Sequence, residues 1–272
     1  MRALGNVDRR ILYVVLILAV LYPLFRPLGL PFRVSDWTVN FYKAVDKLQA
    51  GDTMLMSIDY SVSGAPDVHP QAQAVIKHAL NKKAKVVFVA FVTEGVEFAN
   101  QMIAVAEKDG KKYGEDFANL GFAPGVEVAI SAFAQDMLKV FPKDARGNVT
   151  ADLPIMKGLK TAGDFKLITE FATGIPGPAE WIRQVQTRYK VPLACGVVTV
   201  MGPQNEPYYQ SGQIVGLLSG LRSAAEYEVA MNVPGSATAA MDAQSMGHVA
   251  IVLFMVLGNI AYLAEKGTKG RR

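Results

Sequence analysis

Asp59 ends the apolar run that begins at Thr53, and a carboxylate at the end of a buried strand can bind a cation or act as a base. The competing reading is a turn cap, because Asp59-Tyr-Ser-Val-Ser-Gly64 is turn-like and no second group converges on it from a fixed position. Ser61 and Ser63 stand near His69, the residue types of a nucleophile and its base, but without an oxyanion hole or a third partner. Thr93 and Glu94 follow a second apolar run, where Thr93 fits a helix cap and Glu94 an acidic first turn. Cys195, inside Pro192-Leu-Ala-Cys-Gly-Val-Val198, reads as a small buried hydrophobe. Gln204-Asn-Glu-Pro-Tyr-Tyr-Gln-Ser-Gly-Gln213 gathers amides and two tyrosines before what reads as a long helix. The candidate ligand-binding set is therefore Asp59, Tyr60, Ser61, Thr93, Glu94, Thr173 and Gln210, with no residue assigned to catalysis.

The absent motifs narrow the chemistry further. There is no Walker A loop, no Gly-x-Gly-x-x-Gly after a strand, no His-Glu-x-x-His and no Gly-x-Ser-x-Gly. One cysteine excludes a disulfide framework or a cysteine-based metal cluster, and His69, His78 and His248 are widely scattered. No cofactor and no metal are expected.

The elements that would position these residues alternate. A helix over 36–48 and a stop at Gly51 follow Pro31. Strand-then-helix units are then predicted at 53–60 with 70–83, 86–92 with 93–113, and 165–173 with 178–189. The last is 193–200, with a helix over 208–229. A weaker strand over 116–122 precedes a segment, 126–140, that could begin as a strand but whose spacing of Val126, Ile130, Phe133, Met137 and Val140 favours a helix. A loop fills 142–164. Nearly all-apolar strands alternating with helices predict an α/β fold with a doubly wound, mostly parallel sheet of about five strands. Ligands of such sheets collect at the carboxyl ends of the strands.

The 272-residue chain is 51% apolar and 19% charged, with mean hydropathy +0.20, which excludes a disordered chain and fits a folded domain with one or two membrane segments. The span 11–25 is uncharged and follows Arg2, Arg9 and Arg10; with no small-residue cleavage site after it, an uncleaved anchor is favoured over a signal peptide. The span 247–264 precedes Lys266, Lys269, Arg271 and Arg272. The basic flanks predict both termini in the cytoplasm and 31–245 outside, with Arg26 and Arg33 as opposing evidence. The expected divisions are an anchor (1–30), an extracytoplasmic domain (31–230), a linker (231–245), a transmembrane helix (246–265) and a basic tail (266–272). Residues 34–246 carry a net charge of −3, so the basic balance belongs to the flanks and nucleic acid is not an expected partner.

Two patterns point to association. Gly212, Gly216, Gly220 and Ala224 would line one face of the predicted helix over 208–229, either packed tightly on its own sheet or forming a seam between subunits. In the last apolar span Gln244, His248 and Asn259 are offset by four and eleven residues and share a face toward the first membrane helix or a neighbouring subunit, with Asn259 the deepest. Through Ser57-Ile-Asp-Tyr60, Leu153-Pro-Ile-Met156, Gln210-Ser-Gly-Gln-Ile-Val-Gly-Leu-Leu-Ser-Gly-Leu221, Ala224-Ala-Glu-Tyr227 and Met241-Asp-Ala-Gln-Ser245, the chain resembles a group of prokaryotic membrane proteins with two anchors around an α/β domain. That resemblance implies architecture and no activity or site residues. The expected function is a membrane-tethered, non-catalytic scaffold or sensor in an oligomer with itself or other membrane proteins. The alternative is a small-ligand binder or hydrolase-like enzyme using the crevice.

Overall fold

The computed structural model describes residues 8–30 and 33–269, and the chain divides into two compact units, one of them Arg33–Val233. Arg2, Pro31, Arg271 and Arg272 lie outside the described residues, as do the side chains of Arg9 and Lys269.

The smaller unit pairs α1 (Arg9–Phe25) with a long C-terminal helix, α11 by its place in the chain (Ser236–Lys269). Helix α11 starts well before the predicted 246, so most of the expected linker is helical. Its stretch Ser236–Leu263 is long and apolar enough to cross a membrane; α1 is apolar but, at 17 residues with Pro23 inside, shorter than that requirement. The two helices meet where Gly247 approaches Val20, with Ala243 and Ala250 also buried. Asp242 ties the connection down: its buried carboxylate accepts from the backbone N–H groups of Leu28 (2.7 Å), Gly29 (2.9 Å) and Leu30 (3.1 Å). His248 and Asn259 stay exposed, so α1 is not the partner of that polar face.

In the larger unit the elements run α2 (Asp36–Asp46), β1 (Thr53–Asp59), α3 (Ala65–Asn81), β2 (Lys85–Ala90), α4 (Gly95–Lys108), β3 (Phe117–Phe122), α5 (Val126–Gln135) and α6 (Met137–Val140). After three short 3-10 turns come β4 (Leu167–Ala172) and α7 (Pro178–Trp181), which passes through a π turn, Ile182–Gln186, into α8 (Thr187–Tyr189). The unit ends with β5 (Leu193–Val197), α9 (Gly202–Gln210), β6 (Gly216–Ser219) and α10 (Gly220–Ala230). Six parallel strands form one sheet in the order β3-β2-β1-β4-β5-β6. The chain winds outward from β1 to β3, then restarts beside β1 with β4, so the strand order reverses between β1 and β4. Alternation along each strand splits the core. Leu55, Val89, Ile168 and Cys195 pack with Phe133, Trp181 and Val185 on one face. Met56, Ile58, Phe88 and Phe171 pack with Phe41, Val75, Met102 and Tyr227 on the other.

The sheet corrects the expectation of about five strands, and the extra strand dissolves the predicted helix over 208–229. Gly212 lies in a turn at φ +74°, Gly216 in β6, and Gly220 at φ +69° where α10 begins; only Ala224 is inside a helix. The spacing of four imitates a helical stripe, but the glycines answer three separate demands. At Gly216 the demand is closeness: a Cβ would fall on the Cα and N of Phe41 in α2 and 2.7 Å from its Cβ. The segment 126–140 is helical as its spacing predicts, but in two pieces, α5 and α6, broken at Asp136, whose backbone is extended.

Candidate functional site

Proteins with this strand order bind ligands beyond the carboxyl ends of the strands, at the reversal between β1 and β4. Here that point is sealed. The Thr173 hydroxyl accepts from the Ser61 backbone N–H at 3.0 Å, and Gly64 brings the start of α3 against the Thr173 methyl. Ser61 Oγ lies 2.9 Å from Ser63 Oγ and 3.4 Å from Thr173 Oγ1, while His69 Nδ1 pairs with the Tyr60 hydroxyl at 2.6 Å. The imidazole that would activate a serine is thus committed to a buried tyrosine on the other face of the sheet.

The opening lies one strand over. A cavity of about 270 Å³, near the lower end of the ~300–1,000 Å³ usual for small-molecule sites, is walled by Gly174–Glu180 after β4 and by Met201, Gln204, Asn205 and Tyr208 at α9. The tight turn that shapes it requires Gly177, whose Cβ would lie 2.6 Å from the Gly174 carbonyl oxygen. Glu180 closes the turn as a cap, accepting from the Gly177 N–H at 2.9 Å, while its other oxygen pairs with Arg183 at 2.5 Å. No basic side chain lines this cavity, and the Gly177 N–H that could meet a phosphate is already taken. With the Glu180 carboxylate matched by Arg183, the amides and phenol suit a neutral ligand with hydrogen-bonding groups. A larger groove of about 480 Å³ runs between α3 and α4, past Ile76, Leu80 and Met102, but away from the strand ends.

Asp59 lies beneath the rim, 1% exposed, and does not cap the following turn. Its carboxylate accepts from the Phe91 N–H at 2.7 Å and from Ser57 Oγ at 2.5 Å, bracing β1 to the end of β2. Burial raises its pKa to about 6, against the opposing effect of those bonds; the Trp181 indole N–H also favours the charged form without closing a hydrogen bond. Glu170, opposite Ser57 and Cys195 in register, is fully buried, and both its oxygens lack hydrogen-bond partners. Burial, then the neighbouring Asp59, push its carboxyl well above the usual range.

Of the predicted residues, the structure joins Ser61 with Thr173 and puts Asp59 below them. Thr93 does not cap α4: Glu94 holds the cap position without a side-chain bond, and the Thr93 hydroxyl donates to the Glu94 carboxylate at 2.7 Å, which lowers that carboxyl's pKa. Gln210 is exposed at the C-terminal end of α9, and Gln204, Asn205 and Tyr208 of the same segment face the cavity instead. Sequence reasoning missed Glu170 and Glu180. The signal for Glu170 was a lone charge inside the apolar run Leu167-Ile-Thr-Glu-Phe-Ala172. Cys195 is buried and free. Among the described residues no three His, Cys, Asp or Glu side chains are arranged to hold a metal ion. No protein-family model matches the chain, and no curated protein matches it in sequence.

Proposed function

We propose that this chain is a membrane-tethered, non-catalytic sensor subunit whose α/β unit binds a small neutral polar molecule in the cavity between the β4 and β5 ends. The observation that carries this reading is the cavity itself: a shaped turn, Gly174–Gly177, facing Asn205 and Tyr208, with no basic residue to attract phosphate. Three strongly exposed apolar side chains, Val62, Ile175 and Val200, stand in the loops after β1, β4 and β5, so the same edge offers apolar contact to whatever docks there. In this reading α11 and α1 are both anchors, the termini are cytoplasmic and the α/β unit is outside. Support comes from the apolar length of α11 and the basic residues flanking both segments.

Assembly into an oligomer is part of the proposal. Exposed His248 and Asn259 would meet lipid in a lone copy, and polar side chains within a bilayer normally face protein. Two experiments test the reading. Protease added to intact spheroplasts should digest the α/β unit; survival there, with digestion only after lysis, would reverse the topology. Native mass spectrometry of the detergent-solubilised chain should give an oligomer that Asn259→Leu weakens, and a strict monomer would remove the assembly from the account.

A further inference from the structure

Glu170 Oε1, Glu170 Oε2 and Trp181 Nε1 are all buried without hydrogen-bond partners; Trp181 acts on Asp59, and the Asp59 charge in turn acts on Glu170. Orphaned groups of this kind require an explanation, because each forfeits its hydration for nothing in return. The surroundings supply no cation. From β1 come Asp59 and Ser57, from the segment just after β2 the backbone N–H of Phe91 and Val92, and from β5 the Cys195 thiol, itself held protonated by burial and by Glu170. From α7 come Glu180 and Trp181; Arg183, one turn on, is bound to Glu180 and, by two bonds, to Glu127.

Two carboxyls in one apolar compartment without a basic partner cannot both stay ionised. Their hydrogen bonding decides which one gives way. Asp59 has two short donors that favour its charge, whereas the Cys195 thiol leans on Glu170 without closing a bond. We propose that Asp59 and Glu170 form a proton-binding site inside the sheet: Glu170 keeps its proton at neutral pH, and Asp59 takes up a second from solvent on acidification. The Asp59 carboxylate holds the Phe91 N–H, so the rim segment Phe91–Glu94 at the strand ends loses a charged acceptor when that second proton binds. The site is thereby a pH-responsive element, and it does not depend on any ligand in the neighbouring cavity.

Infrared pH-difference spectra of the detergent-solubilised full chain test this directly, because a protonated carboxyl has its own carbonyl stretch. At neutral pH a protonated carboxyl band should be present and should vanish in Glu170→Gln. On acidification a second band should grow with a midpoint near pH 6 and be missing in Asp59→Asn. Glu170→Gln should remain folded by circular dichroism and leave that midpoint in place, since it replaces one neutral group by another. If Asp59→Asn does not fold, the titration of the second band in Glu170→Gln still decides. Wild-type spectra without a protonated carboxyl at neutral pH, or a neutral-pH band that survives Glu170→Gln, would overturn the proposal.

Discussion

Gly216→Ala should destabilise the α/β unit far more than a single methyl suggests. The added Cβ would overlap the Cα and N of Phe41 and lie 2.7 Å from its Cβ, where contacts of about 3.5–4.0 Å are comfortable. Those are backbone atoms at the middle of α2, so no rotamer change relieves the clash, and the helix must move off β6 by about 1 Å. Phe41 is fully buried against Phe171 and Tyr227, at ring-centroid distances of 6.2 and 5.8 Å, so the shift disturbs that packing too. The cost belongs at the top of the overpacking range, about 3 kcal/mol. For a unit of about 200 residues, with Tm falling ~2–4 °C per kcal/mol, that is a loss of ~6–12 °C by circular dichroism. Gly212→Ala meets nothing within 4 Å and bears only its left-handed φ of +74°, about 1–2 kcal/mol. Gly258→Ala, in α11 outside the α/β unit, meets nothing within 4 Å and should leave that unit's Tm unchanged. If instead Gly212→Ala and Gly216→Ala left Tm unchanged and both dissociated an oligomer, the two glycines would line a subunit seam and the placement of β6 would be wrong.

Three other outcomes follow from the same contacts. Glu226→Ala should cost about 3 kcal/mol in urea unfolding, because the buried carboxylate accepts from Ser35 N–H (2.9 Å), Ser35 Oγ (2.6 Å), Thr38 Oγ1 (2.8 Å) and Arg222 Nε (3.0 Å), anchoring the start of α2. Asp242→Ala should expose the Leu28, Gly29 and Leu30 amides to rapid hydrogen exchange while α11 keeps its helicity; unchanged protection would show that another acceptor holds them. The contribution of the shifted carboxyls to stability should be greatest near about pH 4. The lowered carboxyls of Asp46, Glu127, Asp144 and Asp164 contribute above their ordinary values and lose that contribution as pH falls. The raised Asp59 contributes below its ordinary value and loses it as pH rises through about 6. His69 and His78, lowered by burial, oppose this as pH rises toward their ordinary value, so the Asp59 effect is read against Asp59→Asn: a wild-type urea midpoint that did not fall relative to that variant between about pH 4 and pH 7 would contradict it.

Much of the sheet was legible because buried parallel strands leave uninterrupted apolar runs such as Val86–Ala90, and helix spacing was plain even at 126–140. The sixth strand was hidden for a physical reason. Gly216-Leu-Leu-Ser219 has four residues and no β-branched side chain, and it is flanked by glycines whose spacing mimics a helical face. Strand ends were legible enough to group Ser61 and Thr173 at the reversal between β1 and β4, but those residues close that point and do not line the cavity. The cavity itself was not legible, because it depends on how the turn 174–177 packs against α9, a contact between segments far apart in sequence. Glu170 escaped because a strand residue points to a definite face only once its neighbours are known.

The proposed ligand site is the cavity between Gly174–Glu180 and α9. Amide chemical-shift mapping of the isotope-labelled full chain, titrated with a panel of small amides and other neutral polar compounds, tests it most directly. Saturable shifts gathered at Gly174, Gly177, Glu180, Asn205 and Tyr208, and lost in Gly177→Val, are the predicted result. Saturable shifts confined to the Ile76, Leu80 and Met102 groove, or none anywhere across the panel, would contradict it.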